Sequence, residues 1–103
     1  MIMAIEVVIF QIRPTVARAD FLQAVEETTT LLKTQEGFLS RTVSQAESGE
    51  WLDILYWESI DAAKAAITVF QTDQAGKRFS DYLDGEHFQV FYTDVVSEST
   101  ERA

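Results

Sequence analysis

The spacing of apolar residues changes period several times along the chain, and each change marks an element. Ile5-Glu6-Val7-Val8-Ile9-Phe10-Gln11-Ile12 is dense in β-branched and aromatic residues and stops at Arg13-Pro14, which predicts a strand. Over residues 17–33, Phe21, Leu22, Val25 and Leu32 recur near helical spacing. Thr28 and Thr29 share that stripe while Gln23, Glu26 and Glu27 lie off it, so an amphipathic helix is expected. Lys33 sits near the negative end of its dipole, and Gly37 suits the positive φ of a helix exit. Residues 38–46 read as a strand, Glu47-Ser48-Gly49-Glu50 as a hairpin turn, and residues 51–58 as the returning strand.

Ser59 has the residue type of an N-cap, and Ala62, Ala63, Ala66, Ile67 and Phe70 behind it form an apolar stripe one helix long. Alanines at these positions let a helix sit close to a sheet. Residues 72–85 are ambiguous; Phe79, Tyr82 and Leu83 are compatible with a helical turn or two between loops. A last strand is expected over residues 87–96, followed by a frayed polar tail at 97–103.

The resulting order, β-α-β-β-α-β, is the ferredoxin-like plan of the α+β class, with helices covering one face of an antiparallel four-stranded sheet. The first strand carries Ile5, Val7 and Ile9 on one face and Val8, Phe10 and Ile12 on the other, and the third strand is likewise apolar on both faces. A sheet covered on one side only would show a polar outer face. A second copy packed against the uncovered face is the simplest cover, so a homodimer is expected.

Composition narrows the function. A chain of 103 residues with 47% hydrophobic content, four Gly and one Pro is expected to be a single domain spanning residues 1–103. No cysteine is present, which removes disulfides, thiolate metal sites and a Cys nucleophile. Seventeen acidic against eight basic residues give a net charge of −9, the wrong sign for nucleic acid or an anionic membrane. The start of the chain has no basic leader and no apolar run is long enough to span a bilayer, so a cytoplasmic location is expected.

Two stretches carry a family resemblance. Gln35-Glu36-Gly37-Phe38-Leu39-Ser40-Arg41, with its Gly-Phe-x-x-Arg pattern, and Trp51-Leu52-Asp53-Ile54-Leu55-Tyr56-Trp57-Glu58-Ser59-Ile60-Asp61-Ala62-Ala63 resemble the dimeric α/β-barrel proteins related to antibiotic biosynthesis monooxygenases (ABM). The resemblance covers roughly residues 5–96 and implies fold and dimer more strongly than reaction, because the group includes cofactor-free oxygenases of phenolic polyketides, quinol monooxygenases, heme-degrading enzymes and isomerases. It implies a ligand pocket between helices and sheet, often lined by the tryptophan matching Trp57; strand alternation would then bring Leu55, Asp53 and Trp51 to the same side. The heme-degrading pattern of a first-strand Asn and a histidine ligand is not met. This chain has no asparagine, and the corresponding positions fall near Ile9 and Gly76-Lys77.

His87 is the chain's one histidine, which removes every motif needing two. No GxSxG, GxGxxG or Walker loop is present, and Asp81-Tyr82-Leu83-Asp84-Gly85-Glu86 lacks calcium-loop spacing, so no metal is expected. What remains is an aromatic-rich set suited to a flat aromatic ligand. Trp57, Gln11, Asp53, Tyr56, Phe70, Phe79 and Tyr82 are the candidate ligand-binding residues, although such a set equally suits an ordinary core. Oxygenating a phenol or quinol without a cofactor needs a base in a dry cavity, and His87, with a side chain that titrates near neutrality, is the candidate. The function expected is a cofactor-independent monooxygenase of an aromatic or quinol-type compound. The alternatives are a non-catalytic small-molecule-binding or stress-associated dimer and an isomerase of a small carbonyl or lactone compound.

Overall fold

The computed structural model describes residues 3–101. Met1, Ile2, Arg102 and Ala103 lie outside them, so the expected tail is described only through residue 101, where residues 95–101 form no regular element. The elements run β1 (Ala4–Ile12), α1 (Arg18–Leu32), β2 (Phe38–Gln45), β3 (Trp51–Trp57), α2 (Ile60–Thr72), α3 (Gln74–Tyr82) and β4 (Leu83–Asp94). The sheet order is β2-β3-β1-β4, antiparallel throughout, with β1 and β3 as the expected central pair.

Local chemistry sets the boundaries. Gly49 adopts φ +95 in the hairpin turn, which the Ala46 N–H closes by donating to the Glu50 carbonyl at 2.8 Å. The Ser59 side chain accepts from the Ala62 N–H at 3.0 Å and starts α2 as expected. The ambiguous stretch resolves into a full helix, α3, capped by Asp73, whose carboxylate accepts from the Ala75 N–H at 2.9 Å. Gly76 explains how α3 turns so closely off α2, since a Cβ there would lie 1.8 Å from the Phe70 carbonyl oxygen. β4 then begins at Leu83, earlier than the expected residue 87, because α3 delivers the chain directly to the sheet edge. A register shift between Phe10 and Ile12 accommodates that join, pairing Ile12 with Leu83.

Helices α1, α2 and α3 lie over the sheet face that carries Ala4, Val8, Phe10, Trp51, Leu55 and Trp57. The buried stripe of α1 is Phe21, Ala24, Thr28 and Leu32, so Leu22, expected inside, is 41% exposed. Phe21 centres an aromatic cluster with Phe10, Trp51 and Phe79, at ring-centroid distances of 4.9–5.8 Å. On the opposite face Ile5, Val7, Ile9, Leu52, Ile54 and Tyr56 are only partly buried, and Phe91 is 49% exposed. No element among the described residues covers that face, although its strands are apolar there as well.

Candidate functional site

Between the sheet and helices α2 and α3 lies a cavity of about 290 Å³. Ala63 and Ala66 of α2 present only methyl groups, leaving space that larger side chains would fill, and Phe70 and Phe79 close the helix side. Because side chains alternate along strands, the floor is built from every second residue: Glu6 and Val8, then Asp53, Leu55 and Trp57, then Phe88, Val90 and Tyr92.

The polar groups on this floor are few and differently bonded. Arg41 and Asp53 form a bidentate pair, with Nε donating to Oδ1 at 2.9 Å and Nη2 to Oδ2 at 2.7 Å, and their side chains are 3% and 6% exposed. Arg41 Nη1 is directed to α1, donating to the Val25 carbonyl at 3.0 Å and to the hydroxyls of Thr28 and Thr29 at 2.8 and 3.0 Å. The Arg41 guanidinium also stands 5.3 Å from the Phe79 ring centroid. This ion pair is therefore built into the wall.

Glu6 is different. Its Oε1 accepts from the Trp57 indole N–H at 3.1 Å, while Oε2 has no protein donor among the described residues. Burial pushes its carboxyl up to about 7, and the Asp53 carboxylate adds to the rise, while the Trp57 bond and Arg41 oppose it. Tyr92 is the register partner of Glu6 on β4, and burial together with the negative charge of Glu6 raises its phenol above the ordinary value. Glu6 is not among the candidate residues expected from the sequence. The available signal is an acid flanked by Ile5 and Val7 and in phase with the buried Val8 and Phe10.

Of the candidate residues, Trp57, Asp53, Phe70 and Phe79 line the cavity. Tyr56 lies on the uncovered sheet face, opposite Ile5. Gln11 borders a separate shallow hollow near the hairpin, with Arg18 and Trp51. Tyr82 ends α3 and packs against the core rather than on the cavity wall, its carbonyl accepting from the Arg13 N–H at 2.9 Å. The His87 side chain is 55% exposed, and its Nδ1 lies 2.9 Å from Asp84 Oδ2. Because Phe88 faces the cavity, the adjacent His87 points away from it. The Glu86 N–H and His87 together hold the Asp84 carboxyl below its usual range. Among the described residues, no group of three or more His, Asp or Glu side chains converges as a metal site.

Helices on one face of a β2-β3-β1-β4 antiparallel sheet define a ferredoxin-like domain, with a cavity between helices and sheet. The antibiotic biosynthesis monooxygenase family model matches residues 3–66, more than half of the chain, and the chain belongs to that family. Among similar solved structures is a mutant of SnoaB, a cofactor-independent oxygenase from Streptomyces nogalater, at 16% identity and TM-score 0.79, covering 98% of this chain and 100% of that one. A putative antibiotic biosynthesis monooxygenase from Bordetella bronchiseptica matches at 19% identity and TM-score 0.76, covering 94% and 100%. A dimeric ferredoxin-like protein from an uncultured marine organism matches at 10% identity and TM-score 0.72, covering 99% and 95%. No curated protein sequence matches the chain.

Proposed function

We propose that this protein is a cytoplasmic monooxygenase that uses molecular oxygen, without a cofactor, on an aromatic or quinol-type small molecule. The carrying observation is the aromatic-walled cavity, with few polar groups, in a chain of the antibiotic biosynthesis monooxygenase family. Apolar walls exclude water and hold a flat ring, as a site for electron transfer from a substrate anion to oxygen requires. In the overall reaction a ring C–H and an O–H of the substrate become carbonyl groups. One oxygen atom is retained, and the other leaves as water carrying both hydrogens, so the substrate supplies all the electrons.

The working unit is a homodimer. The uncovered face, with Val7, Ile54 and Phe91 paired across its centre, is the apolar surface that a second copy would bury, and a structural relative is described as dimeric. A second reading, isomerisation of a small carbonyl or lactone compound, is supported by Glu6, since a carboxyl near neutrality can remove and return a proton. Oxygen uptake by chelator-treated protein against anthrones, naphthols and quinols separates the two. Enzyme-dependent uptake that survives chelation is expected, and a flat trace across the panel would shift the assignment to isomerisation or to ligand binding alone.

A further inference from the structure

Building on the reading above, we infer that Glu6 receives the hydroxyl proton of the ligand, and that the cavity consequently selects neutral hydroxyaromatic compounds over aromatic anions of the same size. The inference rests first on how the polar groups are bonded. Arg41 is the cation on the cavity floor, and it is already committed to Asp53 and to α1, so it cannot neutralise an incoming anion. Arg41 and Asp53 cancel, leaving Glu6 to set the charge of the cavity. The Trp57 indole holds Oε1, while Oε2, with no protein donor among the described residues, is left to accept from a ligand.

The other groups facing Glu6 are consistent with this assignment. β4 brings Tyr92, a hydroxyl, and α2 brings Lys64, whose Nζ stands 5.6 Å from the centroid of the Tyr92 ring and which does not line the cavity. α1 and α3 contribute only Leu32, Phe79 and Ser80 to the lining, with no charged side chain. A phenol entering neutral donates its O–H to Oε2. When that bond breaks, the electron pair stays on the ligand oxygen and the proton ends on Glu6. The cavity carries the same total charge before and after, so the step avoids placing a second negative charge in a poorly solvated space. A carboxylate or sulfonate ligand would place that second charge there at once.

The test compares 2-naphthol with 2-naphthoate, followed by quenching of indole fluorescence. At about pH 8 wild-type protein should bind naphthol at least about ten-fold more tightly than naphthoate, and in Glu6→Gln that ratio should collapse towards unity. A wild-type pH series carries the same test without a variant: at about pH 5.5, where naphthoate is still ionised and Glu6 is protonated, naphthoate should gain about ten-fold. Oxygen uptake by Glu6→Gln should fall about a hundred-fold or more. Equal binding of the two probes in wild type, an unchanged ratio in the variant, or binding of neither probe would overturn the inference. Selectivity that collapses in the variant without any uptake by wild type would sink the monooxygenase reading and leave this one standing. Uptake that persists in a Glu6→Gln protein of unchanged selectivity would do the reverse.

Discussion

The indole N–H of Trp57, at the end of β3, donates to Glu6 Oε1 on β1 at 3.1 Å, joining the largest fully buried side chain among the described residues to an acid whose pKa burial raises to about 7. The bond favours the ionised carboxylate, against the larger effect of burial. Removing the donor with Trp57→Phe should therefore move the Glu6 pKa further up. The ¹³C shift of the Glu6 carboxyl should titrate with a midpoint of about 7 in wild type and higher in the variant.

The raised pKa also makes stability depend on pH. Between the unfolded value of 4.5 and the folded value of about 7, the native state holds a proton that the unfolded chain has lost, so stability falls as pH rises through this window. The loss is on the order of 3 kcal/mol by pH 8. Glu6→Gln should abolish that fall. Thermal melts should show the variant more stable than wild type at pH 8, with the difference shrinking towards pH 4.5.

Arg41 and Asp53 form a pair in which one partner cannot be lost cheaply. Asp53→Ala leaves a guanidinium with 3% side-chain exposure facing the cavity unpaired. A cost of about 3–5 kcal/mol is expected in urea denaturation, whereas the double replacement Arg41→Met with Asp53→Leu should cost much less.

Gly37 adopts φ +84 between α1 and β2, and a Cβ there would lie 2.6 Å from that of Ala62. Backbone strain and steric overlap act together, so Gly37→Ala should destabilise by about 2 kcal/mol or more. A smaller loss in chemical denaturation would mean that α2 can shift away from the turn.

The uncovered sheet face gives the test of assembly. Ile54 pairs with Val7 at its centre, so Ile54→Lys should yield a monomer in sedimentation equilibrium while far-ultraviolet circular dichroism is retained. Wild type that already sediments as a monomer would remove the homodimer from the proposed function.

The sequence by itself determined the features that depend on local period and residue type. Two-sided apolar strands located β1 and β3 at the sheet centre, Ser59 started α2, and the Glu47-Ser48-Gly49-Glu50 run made the hairpin. α3 was legible only as a helical turn or two around Phe79 and Tyr82, because its few apolar residues follow a polar start and the close approach of Gly76 to Phe70 has no local signature. Only tertiary structure decided which strand face the helices cover. Period-two alternation sorts residues into two sets without saying which set lies under a helix. That choice turns Glu6 inward and leaves Tyr56 on the outer face, while Phe88 facing the cavity turns His87 away from it. The pairing of Arg41 with Asp53 likewise depends on the β2–β3 register, where Val43 and not Arg41 is the direct partner of Asp53. Contacts of this kind arise when distant segments pack, and no short window of sequence contains them.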